Sequence, residues 1–331
     1  MVVKSNFIPL IRADQVKTYL DYIKQFERPI LATLSETGLP EDIDSVETDD
    51  YISREVVLRL FRIVSTQLPE TSLIKMIAVC SRSNALKLTQ GKRLEGTVRD
   101  SLIQLCDQLR IDSTDSNFVL ESKLGQMWFH RKRANESLPE GELSLILTIV
   151  NVIQLFVGQN WTPKEITLQG AKSSLFEHAF PQHNILYQKQ KQFTGLYIPP
   201  SVLATEIAKP TQDAHIADFH ELNTFKFSLK RLLEPYISGS TPTLTDAAHY
   251  TNMSVRTLQR RLASEGFSFT DIIFELLDEI ACDALINSDE SIADISFRLG
   301  YSSPSHLIRA FKKKFEVTPN QFREKYTPQR N

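Results

Sequence analysis

The sequence predicts an α+β N-terminal domain, with helices and a small antiparallel sheet, followed by an all-α C-terminal domain. Three observations lead to this prediction. Apolar residues recur at helical spacing through the part of the chain that precedes Ile111. Short stretches of alternating polarity, typical of strands, follow between residues 116 and 198. A pattern of two short helices then occurs twice, beginning at Thr243 and again at Ser291, and the 331 residues suffice for two separate cores.

Three helices are predicted before Ile111. From Ala13 to Phe26, and again from Ser53 to Gln67, apolar residues lie one helical turn apart, and a serine can cap the second helix. Arg99 to Leu109 is a further helix, and Gly38 to Asp50 is acidic and turn-like. We interpret the apolar stripes as core and assign no chemistry to them.

After Ile111 the periodicity changes. Ser116 to His130 is predicted to form two strands or a hairpin. The basic cluster from His130 to Arg133 is interpreted as a solvated strand end rather than a phosphate or carboxylate site. A short helix is expected near residues 173–180. Further strands are predicted at residues 164–168, 184–187 and 193–198.

Glu142 to Gly158 is predicted to be a helix that is apolar nearly all round, and therefore buried or placed at a subunit contact. Its most apolar part is shorter than the roughly 18 residues of a membrane span. No signal-peptide pattern is found at the N-terminus. Three distant cysteines, Cys80, Cys106 and Cys282, lack metal-ligand spacing and are expected to be reduced and packed. The sequence therefore predicts a cytoplasmic protein without a membrane partner.

A linker is predicted between Thr205 and Ala217, where Lys209-Pro-Thr-Gln-Asp is rich in turn-forming residues. We therefore expect an N-terminal domain at residues 1–210 and a C-terminal domain at residues 211–331. The second domain should open with a helix from about Asp218 to Tyr236.

The first helix pair of this domain begins at Thr243, which has capping-box spacing to Asp246. Ser254 can cap the second helix of the pair, in which Leu258 and Leu262 face inward. Three side chains suited to bidentate pairing with base edges share the outward face: Arg256, Gln259 and Arg260. On this pair alone, a solvated amphipathic face is the preferred interpretation.

The second pair repeats the pattern. Ser291 takes the place of Thr243, and Gly300 stands where the first helix needs a left-handed stop. Pro304 suits the first position of the next helix, behind Ser302 or Ser303 as cap. The outward face of that helix carries Ser305, His306, Ile308, Arg309 and Lys312. A repeated helix pair with a repeated outward arginine predicts two helix-turn-helix units.

These residues resemble the DNA-binding domain of the AraC/XylS family of bacterial transcription regulators. The resemblance runs from about residue 230 to 326 and is densest in 253–262, 299–312 and 317–323. It implies that the second helix of each unit enters the major groove of promoter DNA. The implied base-reading residues are Arg256, Gln259, Arg260, Ser305, His306 and Arg309. Lys312, Lys313 and Lys314 are then expected to contact phosphates, while packing or a phosphate contact stays open for His306.

The sequence departs from the family pattern at two places. Glu316 stands where relatives usually have the glycine that ends the last reading helix, so a different helix end is expected. Asp278 and Glu279 stand in the connecting helix, near Phe269 to Asn287, where relatives often carry an arginine. This helix is expected to sit differently against the DNA backbone.

The N-terminal half resembles, less specifically, the arabinose-binding-like domain that accompanies this DNA reader. The resemblance rests on Trp161 to Ile166 and on Phe193 to Pro199. It implies a small-molecule sensor, a dimerisation module or both, so an effector and a homodimer are expected partners. Candidate effector-binding residues are Trp128, Arg131 and Tyr197, although aromatic residues in strands are usually core. The resemblance implies a regulator that is more often an activator, with RNA polymerase as a partner.

The net charge of −2 gives no sign of nucleic-acid binding, but the charges are segregated along the chain. Ser264 to Phe297 contains nine acidic residues and no basic one, whereas Arg298 to Phe315 contains five basic residues and no acidic one. A domain of this kind can present basic helices on one side and an acidic connector elsewhere. Weak non-specific DNA binding is expected.

Other functional classes find little support. No phosphate loop, dinucleotide turn, nucleophile elbow or zinc-hydrolase pair is found, so we expect neither an enzyme nor a cofactor. His178 and His183 lack metal-ligand spacing, and no metal is expected. The alternatives left open are a constitutive DNA-binding regulator without a ligand and a DNA-modifying enzyme.

Overall fold

The computed structural model describes residues 7–25, 34–40, 42–90, 94–123, 125–132, 138–181, 184–207, 224–237 and 241–326. The chain divides into two units. The principal parts of the N-terminal unit are Pro9–Leu39 and Ile52–Asn223, and the C-terminal unit comprises Asn6–Ile8, Pro40–Tyr51 and Thr224–Asn331. The predicted linker at Lys209 and the predicted boundary between residues 210 and 211 lie outside the described residues, as do Arg133 and His183.

The first part of the N-terminal unit is mainly helical, as predicted. Its elements are β1 (Leu10–Arg12), α1 (Ala13–Ile23), a 3-10 turn (Leu34–Thr37), β2 (Tyr51–Ser53), α2 (Arg54–Gln67), α3 (Glu70–Thr89) and α4 (Val98–Asp112). The Ser53 hydroxyl accepts a hydrogen bond from the Glu55 amide, which confirms the predicted cap of α2. Cys80 and Cys106 are buried thiols in this unit.

The long helix α3 was not predicted as an element. Its buried side includes Leu73, Ile77 and Leu88, but Val79 and Leu86 are 48% and 47% exposed on other sides. Apolar residues on several faces blur the helical period from which a helix is inferred. Packing of α3 against α1 and against a later helix defines its inner face instead.

The second part of the unit contains β3 (Phe118–Lys123), β4 (Gln126–Lys132), α5 (Pro139–Val157), β5 (Glu165–Thr167), α6 (Ser174–Ala179), β6 (Leu186–Gln188), β7 (Phe193–Tyr197) and α7 (Pro200–Leu203). The five strands form one sheet in the order β3-β4-β7-β5-β6. The prediction of a purely antiparallel sheet was wrong, because β5 and β6 are parallel, with Glu165 opposite Leu186. The intervening segment, which includes α6, is long enough for the crossover that parallel strands need.

The expectation that the apolar stretch is too short for a membrane span was wrong, because α5 is long and apolar enough by length and composition. Half of its most apolar window is nevertheless buried inside the protein. Leu143, Val152 and Ile153 on this helix are fully buried, and α5 packs against α3. The predicted alternatives were burial or a subunit contact, and these contacts show burial for the inner side of the helix, while Leu155 is 42% exposed.

The interpretation of the basic cluster as a solvated strand end was wrong for two of its members. His130 and Arg131 are only 1% and 7% exposed. Successive side chains of a strand point to opposite faces, and β4 lies between β3 and β7, so the two side chains enter two different packed regions. The His130 ring lies 2.8 Å from a Glu121 carboxylate oxygen, and burial lowers the pKa of this histidine. Lys132 is exposed.

The described residues of the C-terminal unit are mainly helical. The helices are α8 (Phe225–Leu233), α9 (Leu244–Tyr250), α10 (Val255–Ser264), α11 (Phe269–Asn287), α12 (Ile292–Arg298), α13 (Pro304–Phe315) and α14 (Pro319–Tyr326). The prediction for the connecting helix agrees with α11 at both ends. Of the predicted helix from Asp218 to Tyr236, residues 218–223 lie outside the described part of the chain. Cys282 is half-buried in α11.

Candidate nucleic-acid interface

The helix pairs α9–α10 and α12–α13 have the same local hydrogen bonds. The Thr243 hydroxyl accepts from the Asp246 amide at 3.2 Å, and the Ser291 hydroxyl accepts from the Asp294 amide at 3.1 Å. In the turn of the first pair, the amide of Met253 donates to the Ala248 carbonyl at 2.9 Å. At the equivalent place in the second pair, the amide of Tyr301 donates to the Ser296 carbonyl at the same distance.

The two turns also share a backbone conformation. Asn252 and Gly300 have positive φ angles of 53° and 77° at equivalent positions. Glycine adopts this left-handed region readily, and asparagine does so more easily than most other residues. The expected left-handed stop at Gly300 is confirmed, and the first pair achieves the same stop with an asparagine.

Helix α10 presents the first group of predicted base-reading residues. Ser254 caps it by accepting a hydrogen bond from the Thr257 amide at 3.1 Å. Leu258 and Leu262 are 0% and 1% exposed and fix the inner side of the helix. Three side chains are exposed on the other side: Arg256, Gln259 and Arg260. The structure therefore brings the first predicted set together on one helix face.

Helix α13 presents the second group. Pro304 is its first residue, Ser303 is at the cap position without a side-chain hydrogen bond, and Leu307 and Phe311 are buried. The outer surface of the helix carries Ser305, His306, Ile308, Arg309, Lys312 and Lys313, all exposed. The His306 Nδ1 atom lies 2.8 Å from the Ser302 hydroxyl, which leaves Nε2 facing away from that contact.

The basic side chains of the C-terminal unit divide into two classes. Thirteen are present in the described ranges 224–237 and 241–326. Eight are held by carboxylates, backbone carbonyls or an aromatic ring: Lys226, Lys230, Arg231, Arg261, Arg298, Lys314, Arg323 and Lys325. The remaining five have no hydrogen bond, ion pair or ring contact within these ranges, and all lie on α10 and α13: Arg256, Arg260, Arg309, Lys312 and Lys313.

Lys314 differs from its two neighbours because its ammonium group pairs with the Asp278 carboxylate of α11. Lys314 follows Leu307 by two helical turns, so it lies on the same side of α13 as that buried leucine. The same spacing was visible in the sequence and could have separated Lys314 from Lys312 and Lys313. Glu275 and Glu279 of α11 pair with Lys226 and Lys230. Lysines of the same unit thus balance much of the negative charge of α11. The outer faces of α10 and α13 keep their positive charge.

Helix α13 ends at Glu316 in a left-handed conformation, with φ 63° and ψ 2°. The expectation of a different helix end was therefore wrong. The Glu316 amide donates to the Lys312 carbonyl at 3.0 Å, so the stop keeps its hydrogen bond although the residue is not glycine.

Residues 317–323, the last dense part of the resemblance, form the cap and the first turns of helix α14. Gln321 and Thr318 cap each other, with the Thr318 amide donating to Gln321 Oε1 at 2.9 Å. Arg323 donates to the backbone carbonyls of Leu285 and Glu290 at 3.2 and 2.6 Å. This arginine therefore binds the end of α11 and the loop after it.

The three predicted effector-binding residues do not lie together. Arg131 lines a cavity in the N-terminal unit. Trp128 is opposite Tyr197 in the β4–β7 pairing and contacts its ring, with centroids 6.0 Å apart. Because Trp128 and Arg131 are three residues apart on one strand, their side chains point to opposite faces of the sheet. Trp128 and Tyr197 are not among the residues that line the cavity.

Residues 247–325 match a family model described as a helix-turn-helix domain. The chain is 41% identical over 85 residues to an uncharacterised HTH-type transcriptional regulator of Mycobacterium tuberculosis, covering 26% of this chain and 25% of the relative. It is 35% identical over 79 residues to the virulence regulon transcriptional activator VirF of Shigella flexneri, covering 24% and 30%. The matches thus span less than a third of either relative's length.

Among solved structures, the C-terminal domain of AraT, a response regulator from Geobacillus stearothermophilus, is 28% identical, with a TM-score of 0.29. It is matched over 88% of its length and 32% of this chain. The helix pairs, their hydrogen bonds and the sequence matches agree on one assignment. Residues 247–325 form a helix-turn-helix domain of the AraC/XylS type.

Proposed function

We propose that this chain is a sequence-specific DNA-binding transcription regulator that reads DNA through two helix-turn-helix units, α9–α10 and α12–α13. The observation that carries this proposal is the distribution of unpartnered basic side chains in the described ranges of the C-terminal unit, all of which lie on the second helices of the two pairs. Desolvated charges need partners, so a protein normally leaves free only the guanidinium and ammonium groups that water or a polyanion will contact. Phosphate groups and base edges of DNA are such partners.

In this proposal, the outer face of α10 reads one stretch of major groove. Arg256 and Arg260 can each donate two hydrogen bonds to a guanine, and Gln259 can pair with an adenine. Their exposure and the fixed position of Leu258 and Leu262 underneath support the assignment.

The outer face of α13 reads a second stretch, about 34 Å along the same side of the DNA. Arg309 is the counterpart of Arg260, and Ser305 and His306 are the remaining base-reading candidates. The hydrogen bond with Ser302 orients the His306 ring and leaves its Nε2 atom available for a base or a phosphate.

Lys312 and Lys313 are the proposed phosphate contacts. Lys314 was expected to share this role, but its pairing with Asp278 supports a different one, in which it fixes α13 against α11. Phosphate contacts add affinity that depends on salt and carries little sequence information.

We further propose that residues 1–210 form a domain that controls the DNA reader at residues 211–331, through a small-molecule effector or dimerisation. VirF is named as an activator, and activation would make RNA polymerase a partner of the DNA-bound protein. A constitutive regulator without a ligand is the alternative.

Footprinting of the full-length protein on fragments of its own genome, at about 0.15 M salt, tests the proposal. We expect discrete protected sites of about two helical turns for each subunit. Arg256→Ala and Arg309→Ala should weaken protection at different ends of a site, whereas Lys325→Ala serves as the exposed basic control and should leave the footprint intact. Uniform protection of all fragments, or equal effects of the three substitutions, would contradict the proposal.

A further inference from the structure

The N-terminal unit contains a cavity of about 140 Å³ between α1, α2, α3, α5 and the start of the sheet. An engineered cavity of about 150 Å³ in another protein binds benzene, so the occupant that fits here has about ten non-hydrogen atoms or fewer. Much of the wall is apolar, including Val16, Val57, Phe61, Leu88 and Ile149. A cavity with only such a wall would suit a hydrocarbon.

Two buried polar side chains change the expected ligand. Asn84, on α3, lines the cavity and is 6% exposed, yet its Oδ1 atom has no hydrogen-bond donor in the described part of the chain. A buried acceptor without a donor is unfavourable, because the atom has lost its hydrogen bonds to water. A ligand with an N–H or O–H group would supply the missing donor.

The second polar group is the guanidinium of Arg131, which lines the same cavity and is 7% exposed. A guanidinium has five N–H donors in a planar fork that matches a carboxylate, so it can bind a ligand in addition to its contacts within the protein. Burial and the like charge of Arg54 lower the pKa of Arg131 to about 10. Arg54 also lines the cavity, and its own guanidinium pairs with Asp115.

The carboxylates near Arg131 are already engaged. Asp115 pairs with Arg54, and the fully buried Glu142 accepts from the amides of Gln169 and Gly170 at 2.8 and 3.2 Å. Glu142 also accepts from the Thr194 hydroxyl. Asp115 balances the charge of Arg54, so the guanidinium of Arg131 is the group on this wall that we expect an additional anion in the cavity to contact.

We propose that this cavity binds a small monocarboxylate with a compact apolar body and one hydrogen-bond donor, such as a hydroxy or amino acid. The carboxylate pairs with the Arg131 guanidinium, the donor group bonds to Asn84 Oδ1, and the apolar body lies against Val57, Phe61 and Ile149. The assignment goes beyond DNA recognition and does not depend on it, because every residue involved belongs to the N-terminal unit.

Thermal unfolding and titration calorimetry of the full chain, with two series of probes at about 10 mM, test the proposal. The branched series is 2-hydroxyisovalerate, valine, isovalerate and isovaleramide; the aromatic series is 2-hydroxybenzoate, benzoate and benzamide. We expect an acid with a donor to raise the melting temperature by at least about 3 °C, the plain acid to raise it less, and the amide to have no effect. Comparing the hydroxy acid with valine distinguishes a hydroxyl from an ammonium donor.

Three variants locate the site. Arg131→Gln should weaken carboxylate binding at least about tenfold, whereas Arg110→Gln, which removes a partly exposed arginine of α4, is the matched control and should not. Asn84→Leu should abolish the preference for a donor-bearing acid without lowering the melting temperature of the free chain, because it removes an unsatisfied acceptor. Leu145→Phe should fill the cavity and reduce binding of every probe.

Three outcomes would overturn the assignment. The first is that no acid of either series binds the wild-type chain. The second is that amides bind as well as acids. The third is that binding survives Leu145→Phe unchanged, which would place the acid elsewhere on the protein.

Discussion

Lys314 and Asp278 form an ion pair that joins α13 to α11, and this pair distinguishes Lys314 from Lys313 beside it. The Lys313 ammonium is exposed and has no partner in the described ranges of the C-terminal unit. Neighbouring residues on one helix therefore have different expected roles in DNA binding.

Lys313→Ala should weaken binding to all DNA sequences about equally and reduce the slope of log affinity against log salt by about 1. Lys314→Ala should leave that slope nearly unchanged, because a lysine already paired with a carboxylate neutralises no DNA phosphate and so releases no cation from the DNA. Filter binding at several salt concentrations measures both. Equal slopes for the two variants would show that the ion pair opens when DNA binds.

Arg256→Ala should cost about 1–3 kcal/mol of binding free energy at a cognate site and relax specificity at one base pair. Arg261→Ala provides a control on the same helix, since the Arg261 guanidinium lies 4.4 Å from the centre of the buried Phe225 ring. We expect the control to lower stability and to leave the sequence preference unchanged. Competition between cognate and random DNA measures the difference, and equal losses on both DNAs after Arg256→Ala would contradict the base-reading role.

Glu316→Gly should stabilise the protein by up to about 1 kcal/mol, because glycine adopts the left-handed conformation at this position without the strain of a side chain. Glu324→Gly is the matched control: Glu324 is an exposed residue inside α14, where glycine should destabilise by about 1 kcal/mol. Urea unfolding of the full chain measures both changes. Destabilisation by Glu316→Gly would mean that the Glu316 side chain contributes more than its backbone strain costs.

Asp50→Asn should stabilise the C-terminal unit by about 1 kcal/mol at neutral pH, a figure reduced for partial exposure. Burial, with the nearby Glu234 carboxylate, raises the pKa of Asp50 to about 6. A carboxyl with a raised folded-state pKa favours folding when protonated, so its contribution is lost as the pH rises from about 4 through 6. The stability difference between variant and wild type should therefore grow between pH 4 and pH 7.5. A difference that does not change with pH would contradict this account.

Gly195→Ala should destabilise the N-terminal unit by about 2–4 kcal/mol. Gly195 lies opposite His130 in the β4–β7 pairing, and an added Cβ atom would come within 2.3 Å of the His130 Cβ and 2.5 Å of the Phe129 carbonyl oxygen. Gly141→Ala, in α5, has nothing within 4 Å of the added atom and should be neutral or stabilising. Thermal unfolding compares the two. A small effect at Gly195 would show that β7 can shift away from β4.

The sequence was most informative where signals are local. Capping residues such as Thr243 and Ser254 act on amides two or three positions away, and apolar spacing sets the inner side of each helix, so α9 to α13 and their outward arginines could be predicted. The left-handed stop at Gly300 followed from glycine's lack of a Cβ atom. Glu316 shows the limit, because the surrounding helices hold a disfavoured residue in the same conformation.

What the tertiary structure decided depends on residues that are distant in the chain. Burial of His130 and Arg131 results from strands on both sides of β4, and the cavity brings Asn84 of α3 near Arg131 although the whole of α4 and β3 lies between them in the sequence. The pairing of Lys314 with Asp278 likewise joins two helices. The sequence by itself determined the helices of the proposed DNA reader, because capping and helical periodicity act over a few residues. Only the tertiary structure decided which charged side chains are paired and which remain free, because a charge pair depends on distance in space.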